Sequence, residues 1–443
     1  MKKYLKSIII FLFPATLLAQ DSTLSNLPPQ WTLQSCIDYA KKNNIQIRTL
    51  QLSTASAEED LSESKASRLP NLNGSVTQNV VHSNNANPVV GGFQTQATAS
   101  GNYGVSSNMI LYNGNYITND IKSKQLSIQL ANLSVSETEN NITLSITQAF
   151  LNILLVQENI TSLSDVLNTS QLQLKQGQQK FDAGSLSKLE LVQLQAQAAT
   201  DEYNLVNAQN NLRLDIVTLK QLLQLPTSYD FKITAPDSVI VPEAETPLDQ
   251  AQQLAQSTRP EVKYDQVSTL IAETELEKLR AATKPTVSVG AGLSSGYSDN
   301  QNNKYFSQLN NNFYQSLGLT VGIPIYNRRV NRTNINKQKI AIEQSKLALY
   351  NTQLVLNQEV EQAYINLQNS QAQYSAASTE LNANKESYDI TNEQMQLGAI
   401  NLVQLQQEKQ LYVQALQAYL QAKYTAVLYD KIYNFYTGTP VSL

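Results

Sequence analysis

Few residues in this sequence of 443 could perform chemistry. The single histidine, His82, and the single cysteine, Cys36, argue against a zinc or iron–sulfur site, a disulfide framework and His-based catalysis. The stretch Ser185-Leu186-Ser187-Lys188 fits the S-x-x-K pattern of serine acyl enzymes, but no KTG motif accompanies it. Ser187 followed by Glu190 instead predicts a capping box at a helix start. We therefore predict no enzyme activity, no metal and no cofactor.

The composition excludes further classes of protein. Hydrophobic residues make up 41% of the chain, which is too much for a disordered protein. Charged residues make up only 15%, against about 25% in a typical domain. The net charge of −4 gives no electrostatic basis for binding nucleic acid.

The N-terminus has the pattern of a secretory signal peptide. Lys2, Lys3 and Lys6 precede an apolar run that ends near Ala19. We predict a signal peptide over residues 1–19 and an exported protein. No later stretch approaches 18 consecutive apolar residues, so the sequence predicts that any membrane entry uses strands rather than helices.

Long intervals without glycine or proline predict unusually long helices. Residues 115–176 and 328–397 contain neither residue, and as helices they would be roughly 95–105 Å long. In the first interval apolar positions recur at alternating steps of four and three, which is typical of coiled-coil packing. Near the N-terminus, Cys36 lies in an apolar stripe with Leu33, Ile37 and Ala40, so we predict a packed free thiol.

The chain also repeats itself at an offset of about 214 residues. Ile110–Asn113 matches Pro324–Asn327, and Gly184 falls on Gly398. Each half is predicted to contain a helix, two strands, a very long helix, a glycine turn and a shorter helix. The first repeat covers residues 20–225, with strands at about 72–82 and 101–112 and helices at about 114–181 and 185–225. The second covers 248–436, with strands at about 286–298 and 313–326 and helices at about 328–396 and 400–436. Residues 226–247 link the repeats, and 437–443 form a tail.

The predicted strands alternate apolar and small polar residues, as strands of transmembrane barrels do. An ordinary sheet half-covered by helices is the alternative. Ser83–Ser100 and Asp299–Asn312 are predicted to be exposed loops. Four strands cannot close a barrel, and an open edge is not tolerated in lipid. The pattern therefore predicts that several copies share one barrel.

Several motifs resemble the TolC-type outer-membrane efflux protein family. They are WTLQSCIDYAKKNN from Trp31, RLPNL from Arg68, ILYNGN from Ile110, FDAGSLSKLELVQ from Phe181, RPEV from Arg259, PIYN from Pro324 and QLGAINLVQLQQ from Gln396. The resemblance implies a mainly α fold with a small membrane β part, assembled as a homotrimer. A twelve-stranded β-barrel would continue into a twelve-helix α-barrel in the periplasm.

The resemblance also implies a function, partners and site residues. The protein would be a passive exit duct in the bacterial outer membrane, serving a tripartite pump or type I secretion. Its partners would be outer-membrane lipid, a periplasmic adaptor and an inner-membrane transporter of the RND or ABC class. The adaptor would dock at the tip turns Ala183, Gly184, Ser185, Leu186 and Ser187, and Leu397, Gly398, Ala399, Ile400 and Asn401.

The periplasmic aperture of the family corresponds here to Glu190, Gln404 and Gln407. The two glutamines stand where the family has an acidic ring, so the mouth would be neutral. Met395 and Ile400 stand where the family's closing lock has Tyr and Arg. If this duct closes, we expect other contacts to close it. A periplasmic coiled-coil adaptor is the alternative function, although an adaptor would be expected to have one helical hairpin beside a lipoyl-like domain.

Overall fold

The computed structural model describes residues 27–28, 30–86, 93–236, 239–241, 246–301 and 303–442. The predicted signal peptide over residues 1–19 lies outside the described residues. The described elements, in chain order, are α1 Leu33–Asn43, α2 Ile45–Ala66, β1 Asn73–Ala86, β2 Phe93–Tyr112, α3 Tyr116–Asp182, α4 Lys188–Leu223, α5 Leu248–Thr258, α6 Pro260–Ala281, β3 Thr286–Ser298, α7 Tyr305–Asn311, β4 Tyr314–Gly322, α8 Val330–Gln396 and α9 Leu402–Tyr436. Within these ranges, no helix combines the length and the hydropathy needed to span a membrane.

The four strands form one antiparallel sheet in the order β1-β2-β3-β4. Thr77 pairs with Asn102 in the first hairpin, and Gly292 pairs with Ser316 in the second. These pairs are related by offsets of 215 and 214 residues, so the two hairpins have equivalent registers. β1 and β4 are the edge strands, and neither has a second neighbour within the described chain.

Two parts of the sheet differ from the sequence-based prediction. β2 begins at Phe93 rather than near residue 101 and pairs with β1 through Ser83 and beyond. This polar stretch lacks the apolar alternation from which a strand is recognised. In the second predicted loop, α7 is a short helix packed on β3: Tyr305 lies 4.7 Å from the Tyr297 ring, and the Ser298 N–H donates to Gln308 Oε1 at 2.8 Å.

The long helices α3 and α8 have 67 residues each, which corresponds to roughly 100 Å. α2 and α4 pack along α3 one after the other, and α6 and α9 pack along α8. The join between α4 and α2 is made by Gln224, whose Oε1 accepts a hydrogen bond from the Ile45 N–H at 2.8 Å. α3 also packs against α6, which connects the two halves of the chain.

The main hydrophobic core lies beside this join. It contains Trp31, Cys36, Phe150, Leu219 and Tyr424, so it combines residues from both halves. Cys36 is fully buried, and burial raises its pKa to about 12. The thiol therefore stays protonated at neutral pH, and the prediction of a packed free cysteine is confirmed.

A second core joins α5, α6, α8 and α9. At its edge Arg259 of the RPEV motif is buried, and its guanidinium lies 4.8 Å from the Phe435 ring and 5.2 Å from the Tyr436 ring. Its Nη2 also pairs with Glu261 Oε1 at 3.0 Å. Arg259 thus attaches the end of α9 to the break between α5 and α6.

Candidate functional site: the helix tips and the contact between hairpins

The two glycine turns lie at the ends of α3 and α8 that are distant from the sheet. Gly184 and Gly398 both have φ +75°, a conformation that glycine adopts far more readily than other residues. The Ser185 N–H donates to Lys180 O at 2.8 Å, and the Ala399 N–H donates to Gln394 O at 2.9 Å. A Cβ added to either glycine would meet no atom within 4 Å. Both turns therefore face open space.

The helix after each turn begins with a side-chain cap. Glu190 N–H donates to Ser187 Oγ at 3.2 Å, and Ser187 N–H donates to Glu190 Oε2 at 2.9 Å. This confirms the predicted capping box, and these hydrogen bonds lower the pKa of Glu190. In the second half, Asn401 Oδ1 accepts from the Gln404 N–H at 2.9 Å. The chemistry of Ser187 and Glu190 is thus accounted for by helix capping.

The predicted tip residues separate into inward and outward groups. Leu186 and Ile400 are half-buried against a cluster that includes Leu194, Leu402 and Leu405. Met395 contacts the same cluster, so Met395 and Ile400 both take part in an apolar contact at the tips. The remaining residues of the turns are exposed: Ala183, Gly184, Ser185, Ser187, Leu397, Gly398, Ala399 and Asn401.

The predicted aperture residues Gln404 and Gln407 are exposed, and Glu190 is half-buried. Glu190 and Gln404 occupy the third position of α4 and α9 respectively, so they are equivalent in the two halves.

A buried charged cluster joins the two hairpins above the tips. Lys409 of α9 and Asp201 of α4 are buried, and Lys409 Nζ lies 2.7 Å from Asp201 Oδ2. Ser170 of α3 donates to Asp201 and accepts from Lys409. Gln197 Nε2 donates to the other carboxylate oxygen at 3.0 Å. We call Lys409, Asp201 and Ser170 the hairpin latch.

Sequence reasoning missed the hairpin latch, although a signal for it exists. Lys409 continues the apolar series Leu402 and Leu405, and Asp201 continues Leu194 and Ala198, both at alternating steps of three and four. Polar residues at such positions of a coiled coil specify pairing at a cost in stability. Three of them in different helices predict a buried polar contact between those helices.

A second polar contact lies farther from the tips. Lys423 Nζ is 2.9 Å from Glu158 Oε1, and Tyr424 OH donates to Glu158 Oε2 at 2.7 Å. Burial, followed by the hydrogen bond to Glu158, raises the pKa of Tyr424. α9 is therefore held against α3 at two levels.

Next to the second contact, on its side away from the tips, a groove of about 450 Å³ is bounded by α3, α4 and α9. It is lined by polar groups such as Asn152, Asp215 and Gln421, and burial raises the pKa of Asp215. Among the residues that the structure describes, no cluster of His, Cys, Asp and Glu has the arrangement of a metal site.

The protomer has a small sheet with two open edges, two long helical hairpins, and glycine turns at the end opposite the sheet. This is the arrangement of an outer-membrane channel subunit. The chain belongs to the outer membrane efflux protein family, whose sequence model matches residues 36–224 and 244–428. The two matched segments correspond to the two halves of the fold. The resemblance inferred from the sequence motifs is thereby confirmed.

Solved structures show the same fold at low sequence identity. The channel CusC has a TM-score of 0.78 and 18% identity, covering 91% of each chain. CmeC of Campylobacter jejuni has a TM-score of 0.77 and 18% identity, covering 92% of this chain and 86% of its own. VceC of Vibrio cholerae has a TM-score of 0.74 and 12% identity, covering 92% and 96%. A comparison with curated protein sequences gave no match.

Proposed function

We propose that the protein is a passive exit duct in the bacterial outer membrane, working as a homotrimer in a tripartite efflux pump or a type I secretion system. The observation that supports this most is the sheet, whose edge strands β1 and β4 are unpaired in the described chain. Apolar side chains on these strands are exposed, including Val76, Val80 and Leu317. Lipid and neighbouring copies would cover what a single protomer leaves open.

The internal duplication indicates how copies would join. Within the chain, β2 pairs with β3 and α3 packs against α6. The equivalent contacts between copies would join β4 to β1 and α8 to α2 of the neighbour. Exposed apolar residues lie on both helices, Leu347 and Tyr350 on α8 and Leu52 on α2. Three copies joined in this way give twelve strands, which is enough to close a membrane barrel.

The tips are the proposed docking site for a periplasmic adaptor, which in turn would connect the duct to an inner-membrane transporter of the RND or ABC class. The exposed turns around Gly184 and Gly398 present uncharged polar and apolar residues at the end of each hairpin. The chain contains no phosphate-binding loop motif, so the partner would supply the energy. Opening would separate α9 from α3 and α4 near the hairpin latch, widening an aperture lined by Glu190, Gln404 and Gln407.

Replacing Gly184 and Gly398 by Trp is expected to abolish adaptor docking while trimers still form. The space beside each glycine is open, so a large side chain would project outward without colliding with its own fold. The measurement is site-specific cross-linking to the adaptor in cells, together with the amount of trimer in the outer-membrane fraction.

The matched control is replacement of both glycines by Asn, which tolerates a positive φ and adds little bulk. Like the Trp variant, the Asn variant places a residue with a Cβ at a positive φ, but without a large side chain. It should therefore retain most adaptor cross-linking. Normal adaptor cross-linking in the Trp variant would contradict docking at the tips. Absence of the unmodified protein from the outer membrane would contradict the proposed duct itself.

A further inference from the structure

Basic residues are concentrated where the strands meet the helices. The four junction segments 65–70, 113–124, 278–286 and 326–339 contain twelve Lys or Arg residues and one acidic residue, Asp120. The whole chain, in contrast, has a net charge of −4. The segment 326–339, at the start of α8, contributes five basic residues and no acid. These are Arg328, Arg329, Arg332, Lys337 and Lys339.

All four junctions lie at the same end of the sheet. Asn73 pairs with Ser106 near the end of β2, Tyr112 pairs with Val287, and Thr286 pairs with Gly322. The basic residues of the separate segments therefore form one collar between the sheet and the long helices. We call this set the junction collar.

The residues next to the collar have the order expected at a lipid–water interface. Ile325 is 93% exposed, and the adjacent Tyr326 is 83% exposed. At the edge of the hydrocarbon region, membrane proteins typically have apolar residues first, then tyrosine, and then Arg and Lys on the water side. The end of β4 and the start of α8 follow this order.

Carboxylates of the same chain neutralise only part of the collar. Lys278 pairs with Asp120 and with Glu275, both at 2.8 Å. Arg280 pairs with Glu277 at 2.5 Å, and Lys124 pairs with Asp60 at 2.9 Å. The five basic residues of 326–339 are exposed, and none has a carboxylate within 4.0 Å among the described residues. They remain available to an anion outside the protomer.

The backbone at Arg328 and Arg329 provides an independent observation. Their φ angles are 52° and 68°, in the left-handed region that arginine rarely adopts. The equivalent residues of the first half are Gly114 and Asn115, with φ angles of 69° and 75°. Gly and Asn adopt such φ angles readily, whereas arginine does not. The backbone conformation of this turn therefore gives no reason for the two arginines. Their side chains must provide something that offsets the unfavourable conformation.

We propose that Arg328 and Arg329, with the rest of segment 326–339, bind the phosphate groups of anionic phospholipids in the membrane leaflet on the helix side of the sheet. This inference rests on the proposed function, because it requires the sheet to lie in a membrane. Guanidinium groups form paired hydrogen bonds to phosphate oxygens. Clustered basic residues beside a membrane-spanning segment attract anionic lipid.

The test compares the full-length protein with two double variants. R328G/R329N installs the residues of the first half, and R328K/R329K retains the charge. Each protein is inserted into phosphatidylcholine vesicles containing either no phosphatidylglycerol or 30%. Native mass spectrometry of the released trimers measures how much of each lipid they retain.

We expect R328G/R329N to lose at least about tenfold in its preference for phosphatidylglycerol. It should form as much trimer as the unmodified protein, because its backbone fits the turn better. R328K/R329K should retain part of the preference, because lysine keeps the positive charge but cannot make the paired hydrogen bonds. Equal lipid retention by all three proteins would overturn the inference while leaving the duct intact.

A second outcome would also overturn it. If R328G/R329N forms fewer trimers in lipid-free detergent, the arginines contact a neighbouring copy rather than lipid. If the unmodified protein neither inserts nor forms trimers, the proposed function fails and this inference fails with it.

Discussion

Replacing Asp201 by Ala is expected to separate the two hairpins near the tips. Lys409 would then remain buried beside Ser170 without its carboxylate partner. Removing one member of a buried ion pair costs about 3–5 kcal/mol, and the cluster is positioned between α9 and both α3 and α4. Hydrogen exchange of the detergent-solubilised protein should therefore become at least about 100-fold faster in residues 402–412.

The control for this prediction removes both charges of the Asp201–Lys409 ion pair, so that no unpaired charge stays buried. Asp201→Leu combined with Lys409→Met replaces the pair by apolar residues of similar size, which is often neutral or stabilising. The double variant should show exchange close to that of the unmodified protein. If Asp201→Ala alone leaves exchange unchanged, the hairpin latch does not hold the hairpins together.

If the latch restrains opening, the same variant should change the duct itself. We expect Asp201→Ala to raise the conductance of single channels in planar bilayers, while Asp201→Leu with Lys409→Met restores closure. A variant that fails to insert would give no single-channel currents, whereas a variant that opens more widely would give larger currents. The measurement therefore distinguishes the two effects.

Replacing Leu317 by Arg is expected to prevent most assembly in the outer membrane. Leu317 is 80% exposed in the protomer, on the apolar face of β4. A lipid-facing Arg near the bilayer midplane costs about 2–4 kcal/mol, and a trimer would contain three of them. The measurement is the fraction of protein recovered as trimers from the outer-membrane fraction.

The neighbouring position provides the control. Ser316 precedes Leu317 in the same strand, so its side chain points to the opposite face. In the proposed barrel, Ser316→Arg would place the charge on the side of the water-filled bore. Assembly should then be nearly normal, and ion selectivity should change. If both variants lost the same fraction of trimer, the two faces of β4 would not be facing lipid and lumen respectively.

Much of the fold follows from simple features of the sequence. The intervals without glycine and proline predict the long helices, and α3 and α8 extend through them as single elements. The break between α1 and α2 is harder to predict because no glycine or proline lies at it. Asn44 makes the break by capping α2, its Oδ1 accepting from the Gln46 N–H at 2.8 Å. An asparagine can continue a helix or begin one, and tertiary contacts decide which.

The candidate site was less predictable than the fold. The capping box at Ser187 is local, so spacing alone predicts it. The hairpin latch depends on three helices that are far apart in sequence, with Lys409 lying 208 residues from Asp201. Spacing shows that each residue occupies a core position, but only the packing shows that they meet.

In the proposed trimer, β4 of one copy pairs with β1 of the next to close a shared barrel. Ser106 pairs with Gly292 inside the chain, and the duplication maps these residues onto Thr320 and Thr77. Within one protomer, these edge positions are separated by three strand spacings of about 4.8 Å. A disulfide cannot span that distance.

The most direct measurement is therefore disulfide cross-linking of a Thr77→Cys and Thr320→Cys variant. Cys36 is the only native cysteine, and Cys36→Ala removes it from the background. We predict covalent trimers on non-reducing gels, and no cross-linking when either new cysteine is present alone. Monomers only, or a ladder that continues beyond three copies, would contradict the account.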